Sequence, residues 1–388
     1  MKALKKLVSI SAAFAMLTGG SLGNMPGEIT SEYLYSVSAA EATSGECGKQ
    51  GDNLTWTLDE AGTLTISGTG EMADWGYSTR SPWYDNSDIK QVIINEGVTS
   101  IGDHPFDFCE KITSITIPNS VTRIGAALCY SFSALDSVTI PAGVTSISEY
   151  AFMSDSLSEI NVDEGNINYS SIDGVLFDKD QTILIQYPAS SKVETYEIPE
   201  GVTSIEQSAF SPSWGLTSVT IPDSVTSIFS SAFAGNYDLE YFNVAPENPN
   251  YSSIDGVLFN KDQTTLVKYP PGNSSETYVV PDGVSIISSW AFYHSHYLIS
   301  LTIPESVTEI NYESFDDCDK LTDLYFLTPY FKNEYTIDNT ATIHSYDHSS
   351  AYAYAKKITG NLYRLASMKE LSLHPANAVQ MATISHGR

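Results

Sequence analysis

The sequence predicts a solenoid, a stack of short β-rich coils that share one continuous core. Three observations carry that prediction. The phrase "IPNSVTRI" at residues 117–124 recurs as "IPAGVTSI", "IPEGVTSI", "IPDSVTSI", "VPDGVSII" and "IPESVTEI"; the recurrences follow a 23-residue period; and apolar residues keep fixed places within each period. None of these phrases contains an obvious catalytic residue, so the repeat builds a scaffold and the function is expected on the surface it displays.

The phrases open at Ile94, Ile117, Ile140, Ile198, Ile221, Val280 and Ile303, with steps of 23, 23, 58, 23, 59 and 23 residues. Two steps therefore equal one period plus an insertion of 35 or 36 residues. Within one period the apolar places are Ile117, Val121, Ile124, Leu128, Leu135 and Val138, before Ile140 opens the next; Ile228 holds the Ile124 place further along. A helix alone would space these by three or four throughout. The stretch "LDSVTI" instead has the β-branched character of a strand and runs into a proline, which cannot donate to a continuing ladder. The pairs Ala151-Phe152, Ala209-Phe210, Ala232-Phe233, Ala291-Phe292 and Ser314-Phe315 fall at one place in the period, where a single turn of helix carrying its ring into the core is expected. One such unit has a single apolar side. Burying six apolar side chains per period, at about 1.5–3 kcal/mol each, requires neighbouring coils.

From the N-terminus, Met1-Lys2-Ala3-Leu4-Lys5-Lys6 and the run "LVSISAAFAML" read as a secretory leader over 1–42, with Ala40-Glu41-Ala42 as the cleavage site. Residues 43–93 read as a β cap, because "LTWTLDEAGTLTISG" alternates apolar and polar residues around a turn at Asp59, Glu60, Ala61 and Gly62. The repeats occupy 94–327. Insertions near 163–197 and 245–279 contain "NYSSIDGVLFDKDQTILIQYP" and "NYSSIDGVLFNKDQTTLVKYP", each a β-hairpin turning at "DKDQ" or "NKDQ". Asp178, Lys179 and Asp180 suit turn chemistry better than calcium, which needs six to eight oxygens, and the second copy carries Asn260 for Asp178. A C-terminal cap is expected over 328–368, with a short helix in "HSSAYAYAKKI", and a disordered tail over 369–388.

The cysteines fit the columns. Cys109 and Cys318 stand three residues beyond the Phe place, and Cys129 takes the Phe place of its own repeat, so all three are expected as core thiols. Cys47 lies outside the array.

The pattern I-P-x-x-V-T-x-I-x-x-x-A-F-x-x-C-x-x-L-x-x-I-x resembles the 23-residue leucine-rich repeat of the BspA-like bacterial surface proteins, of the treponemal type. The likeness covers residue 94 to about 327, and "CGKQGDNLTWTLDEAGTLTISGTGEM" is similar to the cap that precedes such repeats. It implies a curved, right-handed leucine-rich repeat solenoid with a parallel sheet on one face; with the elements read above, the expected fold is mainly β, with short helical turns, two β-hairpin insertions, a β-hairpin N-cap and a short helical C-cap. It also implies secretion or surface attachment, and adhesion or protein interaction without enzymatic activity of the repeats. The sequence departs from the pattern at Leu128-Cys129 and is one residue short near Leu157. It holds no LPxTG-like signal, dockerin-like repeat or choline-binding tail.

The charge limits the partners. With 47 acidic against 19 basic residues the chain carries −28, which repels phosphate backbones and anionic lipid, so no nucleic acid is expected. No later apolar run reaches the roughly 18 residues that span a bilayer. No catalytic, cofactor or metal motif is recognised, and the His294-x-His296 pair lies in a variable connector without a third ligand. The expected partner of this monomer is an extracellular, host or cell-surface protein; the alternative is a surface glycan held by exposed aromatics, Trp75, Trp83, Trp214 and Trp290 first. Alternation about the inward columns puts Ser218, Thr220, Tyr241, Asn243, Ser300, Thr302 and Tyr325 on an exposed strand face, the expected binding surface.

Overall fold

The structure is a computed structural model that describes residues 43–130, 132–328, 332–333, 341–345 and 365–367. The expected leader, the helix in 348–358 and the tail lie outside the described residues. Every described strand belongs to the compact unit that begins at Ser44.

The chain winds as a β-solenoid with two parallel ladders. In the first, Gln91 pairs with Ser114, Ser218 with Tyr241 and Ser300 with Asp323, each one 23-residue period apart. The second ladder, of mostly two-residue strands, sets Ser100 beside Arg123 and Ser204 beside Ser227. Proline at the second place of each phrase ends a first-ladder strand; the Thr-x-Ile that follows starts the second. The threonine of the phrase joins coil to coil. Its hydroxyl donates to the carbonyl of its counterpart one coil earlier, Thr122 to Thr99 at 3.1 Å, Thr145 to Thr122 at 3.2 Å and Thr226 to Thr203 at 3.3 Å.

The expected helical turns are not helices. Among the described residues no helix occurs, and the Ala-Phe segments are hydrogen-bonded turns. The backbone explains it: the residue two places before the Phe position has positive φ at His104, Ala127, Tyr150, Ser208, Trp290 and Glu313, and positive φ recurs two places after it at Phe108, His294 and Asp317. A right-handed helix needs negative φ throughout. The rings still enter the core, with Phe152, Phe210, Phe233, Phe292 and Phe315 all buried.

At the N-terminus, strands Gly51–Leu58 and Thr63–Gly68 form an antiparallel hairpin, closed by Asp59 Oδ1, which accepts from Ala61 N at 3.0 Å and Thr63 N at 2.8 Å. Thr63–Gly68 then pairs in parallel with Gln91–Ile94 and starts the first ladder.

Each insertion is a three-stranded meander, Tyr169–Ile172, Val175–Asp178 and Ile183–Gln186, and then Tyr251–Ile254, Val257–Asn260 and Thr265–Lys268. Asp178 makes its turn as expected, with Oδ1 accepting from Thr182 N and Ile183 N at 2.7 Å each. The meanders divide the core into three blocks. Leu176 packs with the preceding block while Val175 and Phe177 pack with the next; Leu258 against Val257 and Phe259 repeats the arrangement. A strand's alternating side chains thus face two cores at once.

The second ladder breaks where the meanders enter. Ile147 and Ile228 stand at those breaks, each donating its N–H to a tyrosine hydroxyl, Tyr169 at 3.1 Å and Tyr251 at 2.9 Å. Ile228 is therefore half-buried instead of fully enclosed like Ile205. All four cysteines are buried free thiols, and burial pushes Cys47 and Cys318 up to about 12 and Cys109 to about 11. Cys47, unplaced in the repeat, packs in the first core block beside the cap.

Candidate functional site

The outer face of the first ladder differs from the expected strip in continuity and in exposure. Ser218, Thr220, Tyr241 and Asn243 lie on one three-stranded sheet; Ser300, Thr302 and Tyr325 lie on another. Between the two sheets the second meander comes alongside strand Tyr241–Val244, where Phe242 N donates to Gly256 O at 2.8 Å. A Cβ at Gly256 would stand 2.4 Å from Tyr241 Cβ, so only glycine permits this approach.

Three of the seven residues, Ser218, Ser300 and Thr302, are buried. Each small side chain stands on a central strand between larger or equal neighbours, Ser218 between Thr195 and Tyr241, Ser300 between Thr277 and Asp323, Thr302 between Val279 and Tyr325. Alternation fixes which way a side chain points; the flanking side chains decide whether water reaches it. Thr220 and Tyr325 are half-buried, Asn243 is exposed, and Tyr241 is 46% exposed. Tyr325 stacks on His344 at 4.2 Å, and His344 Nε2 lies 2.7 Å from Asp323 Oδ1.

The four tryptophans separate in the same way. Trp83 is buried and donates to Pro105 O at 2.7 Å, Trp75 packs edge-on against it at 5.6 Å, and Trp290 donates to Glu313 Oε2 at 2.8 Å. Trp214 alone of the four is exposed, and it stacks on Tyr237 at 5.3 Å.

The break between the sheets is concave. One depression of about 310 Å³ is lined by Glu194, Thr217, Tyr237, Asp238, Glu240 and Tyr297, among others. A second of about 340 Å³ is lined by Glu240, Tyr241, Asp255, Gly256, Asn273 and Ser274. Glu240 belongs to both, so they form one cleft. Gly272 forms part of the wall: its N–H donates to Leu239 O at 2.8 Å, and a Cβ there would fall 2.6 Å from Asp238 C.

Behind the cleft stand His294 and His296, the pair in the connector that follows Phe292. Tyr237 stacks on His294 at 4.8 Å and on His296 at 5.1 Å. His294 Nε2 lies 3.2 Å from Asp317 Oδ2, and His296 Nδ1 lies 3.5 Å from Asp319 Oδ2. Burial holds the His294 imidazole below its ordinary range, against the pull of Asp317. Burial, then Asp317, raises the Tyr237 phenol. These rings back the cleft; among the described residues no group of three or more His, Cys, Asp or Glu could hold a metal ion.

Sequence reasoning missed Tyr237, Asp238, Glu240 and Tyr297. The duplication held the signal. Eighty-two residues earlier, as from Asn168 to Asn250, Asp155, Ser158 and Gly215 stand at the places of Tyr237, Glu240 and Tyr297, so the second junction has rings where the first has Asp155 and Gly215, and a carboxylate where the first has Ser158.

A repeating coil and two parallel ladders with an accessible cleft define a β-solenoid scaffold protein. More specifically, the chain belongs to the BspA-type leucine-rich repeat family, whose model matches residues 80–192, 186–278 and 271–357 in six copies. Solved structures that the chain resembles include a leucine rich cell surface protein from Faecalibacterium prausnitzii A2-165, 24% identical with a TM-score of 0.46, covering 71% of this chain and 93% of that one. A leucine-rich repeat protein from Eubacterium ventriosum is 22% identical with a TM-score of 0.43, over 86% of this chain and 98% of that one. The pneumococcal vaccine antigen PcpA is 18% identical with a TM-score of 0.46, over 84% and 100%. Comparison with curated proteins gives no match. Among the described residues no helix is long and apolar enough to cross a membrane.

Proposed function

We propose that this chain is a non-catalytic binding scaffold displayed outside the cell, and that it holds a protein partner at the break between the outer sheet of Tyr241 and the outer sheet of Tyr325. The observation that carries the reading is Tyr241, 46% exposed at the edge of a cleft of about 340 Å³. An exposed aromatic ring beside a concavity is the arrangement that protein interfaces use as an anchor. The basic and apolar start of the sequence supports export, and the charge of −28 suits a soluble surface. Asn243 and Thr220 flank the anchor with polar groups, as an interface rim requires.

A binding screen of the purified chain against extracellular-matrix proteins and against soluble and insoluble polysaccharides, at low and high salt, tests the reading. Saturable protein binding that weakens with salt and is lost in Tyr241→Ser is the expected result. Salt-insensitive binding of a neutral glycan, lost in Trp214→Ala and kept in Tyr241→Ser, would replace the protein partner with the sugar alternative.

A further inference from the structure

We propose that the cleft of the second junction receives a basic segment of the partner polypeptide, with a lysine or arginine side chain seated between the Tyr297 ring and the carboxylates of Glu194, Asp238 and Glu240. The inference deepens the scaffold reading and rests on it.

The lining carries the argument. Four carboxylates, Glu194, Asp238, Glu240 and Asp255, border the two depressions, and neither lysine nor arginine lines them. Asp238 Oδ2 is partly engaged, accepting from Gly215 N at 2.8 Å. Glu194, Glu240 and Asp255 make no ion pair among the described residues. The wall adds the half-exposed ring of Tyr297, and a ring beside carboxylates attracts a cation through both quadrupole and charge. The protein already uses the pairing at its edge, where Lys320 Nζ sits 5.1 Å from the centre of the Tyr297 ring. A guanidinium or ammonium on a flexible stem can reach into such a depression while its backbone stays on the outer sheet. The first junction lacks this chemistry, because Gly215 replaces the ring and Ser158 the carboxylate at the places of Tyr297 and Glu240.

That comparison supplies substitutions the fold already tolerates. The full chain is titrated with a nine-residue lysine-rich peptide and with a glutamate-rich peptide of equal length, by calorimetry at low salt. Tyr297→Gly and Glu240→Ser give the second junction the residues of the first, while Glu164→Ser removes a carboxylate from an exposed site outside the cleft. We expect the basic peptide to bind and the acidic one not to. Affinity should fall about tenfold in Tyr297→Gly and in Glu240→Ser and stay within twofold in Glu164→Ser. Because Tyr297→Gly leaves the charge unchanged, its loss separates a seat from the diffuse attraction of a chain at −28. Equal affinity in all variants, equal weakening in all three, or binding of a neutral oligosaccharide at these residues without peptide binding would overturn the inference. The partner screen needs no peptide, so a partner found there that the peptide cannot displace leaves the scaffold reading standing while the basic seat falls.

Discussion

Lys268 occupies in the second meander the place that Gln186 holds in the first, and its Nζ donates to Trp290 O at 2.8 Å and Tyr293 O at 3.1 Å. Only 2% of the residue is exposed, and no carboxylate pairs with it among the described residues. Burial holds the ammonium down to about 7, with Cys318 opposing weakly. The unfolded chain keeps the ordinary lysine value, so between about pH 7 and pH 10 the unfolded state binds the extra proton and stability rises with pH. Below pH 7 both states are charged and the full penalty applies. Lys268→Gln should therefore raise stability at pH 6 by roughly 2–5 kcal/mol and shrink its advantage toward pH 9, in chemical denaturation of both proteins across that range. A constant difference would place the amine in solvent.

The column assignment predicts unequal losses at equivalent places. Ile205 is fully buried, whereas Ile228 is half-buried at a ladder break. Ile205→Asp should cost several kcal/mol by burying an unpaired carboxylate, and Ile228→Asp clearly less, since its charge can reach water. Thermal melts of the two variants check the order.

Leu258 ties the middle core block to the meander whose other side chains, Val257 and Phe259, belong to the next block. Leu258→Ala should cost about 2–5 kcal/mol and loosen the coupling between neighbouring blocks, so that unfolding broadens or splits into two transitions. A sharp single transition at lower Tm would show that the blocks remain one cooperative unit.

The thiols offer a direct check on the core. Cys47, Cys109, Cys129 and Cys318 are all buried, and burial raises each above the ordinary thiol range. A thiol reagent at pH 8 should modify almost none of them in the native protein and all of them in guanidinium. Rapid native modification of Cys47 would place the N-terminal hairpin away from the core.

Much of this fold could be read in advance because a solenoid repeats its constraints. Ile94, Ile117 and Ile140 each report the same inward column, and Cys109 and Cys318 fill one column at a distance of many coils, so a single period decides which side chains point inward throughout the array. The hairpins were legible for the same reason: "GVLF" followed by "DKDQ" is local chemistry, and Asp178 closes its turn with neighbours four and five residues away.

The sequence by itself determined the period, the inward columns, the buried thiols and the two insertions, because those follow from local propensity and from apolar residues that must find a core. Only the tertiary structure decided how the coils meet. It turned the expected helical segments into tight turns through positive φ at positions such as Tyr150 and Trp290. It buried Ser218, Ser300 and Thr302 between their cross-strand neighbours. It also cut the outer face at the second meander and brought Tyr237 onto His294 and His296, nearly sixty residues away in the chain. Exposure and cleft shape depend on which side chains stand one coil away, and that is a property of stacking which no single period contains.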